Sequence, residues 1–182
     1  YTPRYDFVTS EEYKEELDRI RDAQKKLIKN DKAIIGATTW TVNGSKSKGN
    51  KMIADMKKLF LRAFNSDCED VISKVKYNNF DMSLKKIRQS ANSIEKLGKS
   101  MSLQITQKYI DWKEEELTLA FEYQQKKQEE KEAQKAARAE MREAARLQKE
   151  IEAQRKKIEK EQTHYQTAYE KLLKQLEEDP DN

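Results

Sequence analysis

The C-terminal part of the chain reads QQKKQEEKEAQKAARAEMREAARLQKEIEAQRKKIEKEQTHYQTAYEKLLKQLEE (residues 124–178) and contains neither proline nor glycine. Glu, Lys, Arg, Gln and Ala dominate it, and these residues favour helix while offering little apolar surface to bury. The stretch therefore predicts a long, solvated helix. Roughly fifty helical residues at about 1.5 Å each span on the order of 75 Å, a length suited to spacing or connecting other parts of a protein.

The apolar residues of this segment recur every seven positions, at Ile151, Ile158, Tyr165 and Leu172. The positions three residues later are mostly polar: Gln154, Glu161, Ala168 and Gln175. This pattern is typical of a weak, one-sided coiled-coil seam, so we expect a homo-oligomer that needs tethering or further heptads. The acidic residues 177–182 are expected to end the helix.

The composition of the whole chain agrees with this interpretation. Among 182 residues, 38% are charged and 36% are hydrophobic, so only part of the length can supply a core. The 37 basic and 33 acidic residues nearly balance, with a net charge of +4. A charge balance of this kind indicates a solvated helical surface and allows at most weak, salt-sensitive contact with DNA.

The residues before the arm predict a mainly α fold with one short β segment. We expect an N-terminal helix within residues 1–32, opened by the capping box Thr9–Glu12, then a compact helical domain (33–123) and the charged arm (124–182). Residues 33–43 are β-branched and end at the turn signal Asn43–Gly44. One short strand is not a sheet, so it pairs with a symmetry mate or with a segment outside the chain, or it is an extended arm.

Three further helices follow from apolar periodicity. Residues 45–51 form a small basic loop, and the helix that begins at Met52 is the best candidate for the core. The Asn-rich stretch 77–81 predicts a turn, with Asp81 or Ser83 capping the next helix. Gly98 predicts that helix's end and Thr106 the start of another, and continuity through Gly98 is the alternative.

Several classes of protein are disfavoured. Cys68 is the single cysteine, which excludes an internal disulfide and favours a small buried side chain in a reducing compartment. No apolar run approaches the roughly 20 residues of a membrane span. The chain begins with Tyr1 rather than Met, so we expect it to be a fragment of a larger protein.

The same residues predict no catalysis, cofactor or metal site. The single histidine, His164, lies in the charged helix, where a nucleophile relay lacks a shaped pocket. The abundant carboxylates lie in Glu/Lys-rich helices, where they are expected to be solvated and to lack the buried environment that acid–base catalysis requires. The four glycines are too scattered for a phosphate-binding loop. We therefore expect that this chain is not an enzyme.

Binding is more credible than catalysis, and three groups of residues are candidates. The first is a phosphate-binding group of Trp40, Lys46, Lys48 and Lys51, whose alternative is a mobile connector. The second is a polar recognition surface of Arg62, Asn65, Lys74, Lys76, Asn78 and Asn79, whose alternative is a set of caps and turns. The third is an interface pair, Trp112 and Phe121, whose alternative is ordinary core packing.

Five ordered blocks of sequence carry a resemblance to a known family: LRAFN (61–65) with DC (67–68), ISKVKYNN (72–79), IEKLGK (94–99), EELTLAFEYQ (115–124) and the charged run that follows. Over roughly residues 33–152, the chain resembles a bacterial and phage domain of unknown function. That domain typically sits just upstream of a GIY-YIG endonuclease domain. No GIY and YIG pair occurs here, so the resemblance places a cutting domain beyond residue 182.

The resemblance implies a non-catalytic module of an anti-phage defence nuclease, sometimes tethered to the inner membrane. We expect it to dock on a phage or bacterial envelope protein, to oligomerise, and to position the nuclease. Its expected location is the cytoplasm, at the inner-membrane face through segments outside residues 1–182. Two alternatives stay open: a nucleic-acid-binding module that guides DNA to the nuclease, and a purely structural coiled-coil scaffold.

Overall fold

The computed structural model describes residues 1–179 and confirms a mainly α fold. The elements are α1 (Ser10–Lys29), β1 (Ile34–Ile35), α2 (Lys46–Ser73), α3 (Phe80–Leu97), a short 3₁₀ helix (Lys99–Met101), β2 (Gln104–Ile105) and α4 (Gln107–Glu178). They form two units, a compact unit of residues 1–130 and a helical unit of residues 131–179. The last residues of the predicted acidic terminus, 180–182, lie outside the described residues.

The first helix begins where its capping signal predicts. Thr9 is the N-cap residue of α1, and its hydroxyl accepts a hydrogen bond from the Glu12 backbone N–H at 3.3 Å. The Glu12 carboxylate accepts in turn from the Val8 N–H at 3.0 Å, one residue earlier than in the usual capping box. One face of α1 packs inward, with Tyr13, Leu17, Ile20, Gln24 and Leu27 buried.

The predicted strand finds its partner inside the chain. β1 pairs antiparallel with β2, with Ile34 opposite Ile105 and Ile35 opposite Gln104. The expectation of a partner outside the chain is therefore wrong, because the segment after α3 returns to lie beside β1. Only two residues of the predicted 33–43 segment form a strand, since β2 offers no longer edge to pair with.

The basic residues that follow are helical, not a loop. Asn43 and Gly44 adopt φ angles of 51° and 76° and form the predicted turn. Ser45 then caps α2, its hydroxyl accepting from the Lys48 N–H at 3.2 Å. A Cβ on Gly49 would lie 1.8 Å from the Trp40 carbonyl oxygen, so the preceding segment packs against bare backbone at the start of the helix.

The turn between α2 and α3 is held by an asparagine. The Asn79 side chain accepts from the Lys76 N–H at 2.6 Å and donates to the Lys74 carbonyl at 3.0 Å. Asn79 is also the N-cap position of α3, so the expectation that Asp81 or Ser83 holds this position is wrong. Both of those residues lie inside the helix, because the Asn79 turn allows it to begin at Phe80.

The predicted break at Gly98 is confirmed. Gly98 is the C-cap of α3, and the chain continues through the 3₁₀ helix and β2 rather than as an uninterrupted helix. The Thr106 hydroxyl accepts from the Tyr109 N–H at 3.4 Å, just before α4 begins at Gln107. The predicted start signal at Thr106 is thus in place.

The beginning of α4, rather than α2, forms the centre of the compact unit. Five of six successive residues in it are buried: Leu117, Thr118, Leu119, Phe121 and Glu122. Such a run covers more than one face of a helix, so neighbours surround it. Leu119 packs with α1, against Tyr13, Leu17 and Ile20, while Leu117 and Phe121 belong to a larger core with α2 and α3.

The second unit is helical as predicted. Residues 131–178 belong to α4, and every described side chain of this unit is exposed. The ion pair of Arg146 with Glu143, at 3.0 Å, joins successive turns of this solvated surface. Among residues 1–179, no helix combines the length and apolar character that crossing a bilayer requires.

Candidate functional site

A polar pocket opens in the compact unit among α1, α2 and α4. Its volume is about 350 Å³, and its walls are Arg21, Asn65, Glu69, Ile72, Ser73, Lys113 and Glu116. Two of these groups, Lys113 and Glu116, are ionisable yet only 9% and 7% exposed. Charged side chains are rarely buried to this extent unless they are paired, so the pocket is the strongest candidate for a functional site.

Glu116 is the centre of the pocket's hydrogen bonds. One carboxylate oxygen accepts from Arg21 Nε at 3.1 Å, and the other accepts from Gln24 Nε2 at 2.9 Å and from Lys113 Nζ at 3.4 Å. Burial alone would raise the pKa of Glu116, but the charge of Lys113 and the bonds from Gln24 and Arg21 outweigh it. The pKa therefore lies below its ordinary value, and the group is a carboxylate at neutral pH.

Lys113 forms the other side of the pocket. Its ammonium nitrogen lies 5.6 Å from the centre of the Tyr109 ring, within the range of a cation–π contact. The Tyr109 hydroxyl donates to the Asn65 side-chain oxygen, and burial raises the pKa of Tyr109, so this phenol stays protonated. A chain of contacts thus runs from Glu116 through Lys113 and Tyr109 to Asn65.

The single cysteine has no place in this chemistry. Cys68 is fully buried, and burial raises the pKa of its thiol to about 12 despite the opposing charge of Lys113. A thiol held neutral in this way is a poor nucleophile and a poor metal ligand. The expectation of a small buried side chain is confirmed.

The predicted phosphate-binding group does not form one surface. Lys46, Lys48 and Lys51 are all exposed in the first two turns of α2. At about 100° per residue, Lys48 and Lys51 lie about 60° apart around the helix, whereas Lys46 points to the far side. Lys51 also pairs with Asp55 at 3.5 Å, and Trp40 is half-buried.

The residues of the predicted polar recognition surface lie in three places. Asn65 lines the pocket, whereas Lys74, Lys76, Asn78 and Asn79 lie around the turn between α2 and α3. Lys74 pairs there with Asp70, and Asn79 is used for the turn itself.

Arg62 lies neither in the pocket wall nor at the turn between α2 and α3. It is exposed in the middle of α2, and the twelve residues from Arg62 to Lys74 advance about 18 Å along a helix. The single surface expected from the sequence is therefore wrong, because a long helix separates its members.

The two predicted aromatic anchors are core residues. Phe121 is 1% exposed, and its ring lies 5.0 Å from that of Phe80 and 4.7 Å from that of Tyr1. Trp112 is half-buried and packs against both clusters of the core. Core packing, the alternative interpretation, holds for both, so Phe121 offers no surface to a partner.

The predicted seam residues, in contrast, are accessible. In the second unit, Ile151, Ile158, Tyr165 and Leu172 are all between 55% and 73% exposed. His164 is exposed beside them, with its ring 6.3 Å from that of Tyr165.

Sequence reasoning missed the three charged residues that make the pocket: Arg21, Lys113 and Glu116. A signal for two of them was present, because Lys113 and Glu116 lie within the arc of the helix that also carries Tyr109 and Leu117. Charged residues three apart inside an apolar face point to a buried ion pair. Within residues 1–179, the structure contains no group of three or more His, Cys, Asp or Glu side chains placed to hold a metal ion.

One family model matches the chain, and its description is SNIPE associated domain. The match covers residues 10–128, about two thirds of the chain, and includes every wall of the pocket. No curated protein and no solved structure matches. With helices α1 to α3 and the buried start of α4 inside the matched region, the chain belongs to the SNIPE-associated domain family.

Proposed function

We propose that this chain is a non-catalytic recognition and oligomerisation module of a multidomain anti-phage GIY-YIG endonuclease. It docks on a phage or bacterial envelope protein and positions the nuclease domain that follows it. The proposal assigns recognition to the compact unit and self-association to the helix of residues 131–178. It needs no cofactor in this chain.

The observation that carries recognition is the pocket inside the family-matched region. Its walls hold a buried lysine, Lys113, and a half-exposed arginine, Arg21, which share one carboxylate, that of Glu116. Among the described residues, neither has another acidic partner at hydrogen-bond distance, since Asp18 lies 3.9 Å from Arg21. A buried charge costs stability unless it is paired and hydrogen-bonded, and charged groups that are partly buried in a cleft are typical of binding sites. The family membership and the ordered blocks of residues 61–124 support the nuclease context.

The observation that supports self-association is that the seam contains more exposed apolar residues than the four at seven-residue spacing. Tyr169 and Leu176 follow Tyr165 and Leu172 by four residues, and they are 62% and 60% exposed. Residues at spacings of three and four share a helix face, so residues 165–176 form an alternating a/d pattern. The polar companions three residues later lie outside this face.

Recognition is tested with the full chain and individual purified proteins. The chain is immobilised, and phage structural proteins and solubilised envelope proteins are passed over it one at a time. We expect one of them to bind with a Kd that Lys113→Met weakens. If no phage or envelope protein binds, the proposed recognition function is wrong.

Self-association is tested by sedimentation velocity of the full chain over a range of concentrations. Tyr165→Glu with Leu172→Glu should shift the chain to a monomer, because charge enters the seam. Thr163→Glu with Thr167→Glu adds the same charge on the opposite face and should leave the distribution unchanged. A wild-type chain that is monomeric at every concentration contradicts the oligomerisation role.

DNA guidance is the alternative that the exposed Lys46, Lys48 and Lys51 support. Their lack of a common face and the near balance of charge count against it. Charge reversal at all three would abolish DNA retention if this alternative held. The scaffold alternative predicts that partner binding depends on the seam variants and not on Lys113.

A further inference from the structure

We infer that the pocket of the compact unit binds a carboxylate, supplied by an aspartate or glutamate side chain of a partner protein. The inference rests on the proposed recognition function, since it names the chemical group by which a partner is held. Its basis is a surplus of hydrogen-bond donors over acceptors around Glu116.

The buried ammonium of Lys113 supplies the first surplus. An ammonium carries three N–H donors, and among the described residues the Lys113 ammonium forms one hydrogen bond, the 3.4 Å contact with Glu116. The Tyr109 ring stabilises the charge from one side without accepting a conventional hydrogen bond. Donors remain for an oxygen ligand on a side chain that is only 9% exposed.

Arg21 supplies the second surplus. Its Nε atom is used by Glu116 at 3.1 Å, whereas Nη1 lies 3.9 Å from Asp18, too far for a hydrogen bond. Among the described residues, the terminal nitrogens form no hydrogen bond. A guanidinium presents these nitrogens as a planar fork that suits a carboxylate.

Two of the groups that line the pocket, Glu116 and Asn65, have oxygens that already accept hydrogen bonds. Glu116 takes three donors on its two oxygens, and the Asn65 oxygen takes the Tyr109 hydroxyl. The Asn65 Nδ2 group, in contrast, has no acceptor among the described residues. A cationic ligand at Glu116 would therefore compete with Lys113 and Arg21, whereas an anionic ligand would accept hydrogen bonds from the donors that these two residues leave unused.

The surroundings favour a single carboxylate over a nucleic-acid backbone. Glu69 lines the pocket and Asp18 lies 3.9 Å from Arg21, so the successive charges of a chain of phosphates would be repelled by two carboxylates. Ile72 adds an apolar wall against which the methylene groups of an acidic side chain can pack. The volume of about 350 Å³ holds one or two side chains.

The experiment titrates the ¹⁵N-labelled full chain with N-acetyl-glutamate amide, a blocked single residue. N-acetyl-glutamine amide is the isosteric neutral control, and inorganic phosphate is the third probe, all at constant ionic strength. We expect the Asn65 side-chain amide and the Lys113 ammonium signals to shift with a Kd of roughly 1 mM for the glutamate probe. The glutamine probe should bind at least about tenfold more weakly.

Two variants locate the site, and one controls for charge. Lys113→Met should weaken glutamate binding at least about tenfold, and Arg21→Gln, at a half-exposed position, should also weaken it. Arg88→Met removes a cation that pairs with Glu114 at 2.6 Å and does not line the pocket, so it should leave the Kd unchanged.

Three results would overturn the inference: equal binding of the two blocked amides, glutamate binding that survives both pocket variants, or tighter binding of phosphate at the same signals. If the chain binds the glutamate probe but captures no phage or envelope protein, the inference stands and the proposed function is wrong. If a phage or envelope protein binds the wild-type chain and the Lys113→Met variant equally well, the proposed function stands and the inference is wrong.

Discussion

The two parts of α4 make an informative comparison. Within residues 109–122, Lys113, Glu116 and Glu122 are buried, whereas every described residue from 131 onward is exposed. Both parts are rich in charge and both are helical. The neighbours of a helix, rather than its own charge content, therefore decide whether a glutamate is part of a core or part of a solvated surface.

The buried part contains a second comparison, between Glu116 and Glu122. Three donors surround Glu116, while Glu122 accepts from the Tyr5 N–H at 3.3 Å and leaves its other oxygen buried without a hydrogen-bond partner among the described residues. Burial raises the pKa of Glu122, whereas the pKa of Glu116 is lowered. The same residue type thus stabilises one site and weakens another.

Leucine truncation should give the largest difference between the two parts. Leu117 is 0% exposed and Leu147 is 47% exposed. Leu117→Ala should cost about 2–5 kcal/mol of unfolding free energy through lost burial and a cavity, and Leu147→Ala less than about 0.5 kcal/mol. Urea unfolding measures this with two probes: tryptophan fluorescence follows the compact unit, which contains both Trp40 and Trp112, and helical circular dichroism also follows residues 131–178. Equal costs would contradict the comparison.

A proline in the second unit should reduce the helix content of that unit without changing the stability of the compact unit. Ala145→Pro removes a helical hydrogen bond and costs about 3 kcal/mol locally. Helical circular dichroism should fall and proteolysis near residue 145 should rise. The tryptophan transition should stay at the wild-type urea concentration. A shift of that transition would mean that the helix of residues 131–178 contributes to the core, against its complete exposure.

Removing a carboxylate should cost more unfolding free energy in the buried part of α4 than in the exposed part, and the difference should be smaller than for leucine truncation. Glu116→Gln leaves Arg21 and Lys113 without a counter-charge and should cost roughly 2 kcal/mol. Glu143→Gln, which breaks the exposed pair with Arg146, should cost less than about 0.5 kcal/mol.

The pH dependence follows from the lowered pKa of Glu116. Its stabilising contribution is complete above the ordinary value of 4.5 and is lost as pH falls through the lower, folded-state pKa. The cost of Glu116→Gln should therefore vanish in acid. Urea unfolding at several pH values below 4.5 checks this, and a cost that is independent of pH would refute the ionised assignment.

Glu122→Gln should give the smallest effect, with the opposite sign. A raised pKa means that the folded state favours the protonated carboxyl, so the stability of this site is present below 4.5 and lost as pH rises through the folded-state pKa. At pH 7 the variant should be about 1 kcal/mol more stable than wild type, because a buried charge is removed. The gain should disappear below pH 4.5 in thermal unfolding, and a loss of stability at pH 7 would show that the carboxylate is needed.

Local signals in the sequence predicted local structure well. The Thr9 cap, the Asn43–Gly44 turn and the Gly98 stop are all where the residues indicate, because each depends on neighbours within a few positions. The continuous helix of the second unit follows in the same way from composition alone. The start of α2 was missed because Ser45, a cap signal, stands among residues that read as a loop.

Contacts between distant residues account for what the sequence did not predict. Ile34 pairs with Ile105, 71 positions later, and Arg21 meets Glu116 across 95 positions. Periodicity identifies which face of a helix is buried but not which face of another helix covers it. The pocket forms where α1 contacts α4. The sequence could therefore show that Lys113 and Glu116 lie on an apolar helix face, but it could not show that Arg21 lies next to them.

The close approach at Gly49 has a practical use in genetics. Helical glycines are common targets for stabilising replacement by alanine, but here the new methyl group would collide with the Trp40 carbonyl and push the preceding segment away. Gly49→Ala is therefore a rational starting point for a temperature-sensitive allele. Such an allele would switch the module off in living cells by a mild shift of growth temperature, with the pocket and the seam unaltered in sequence.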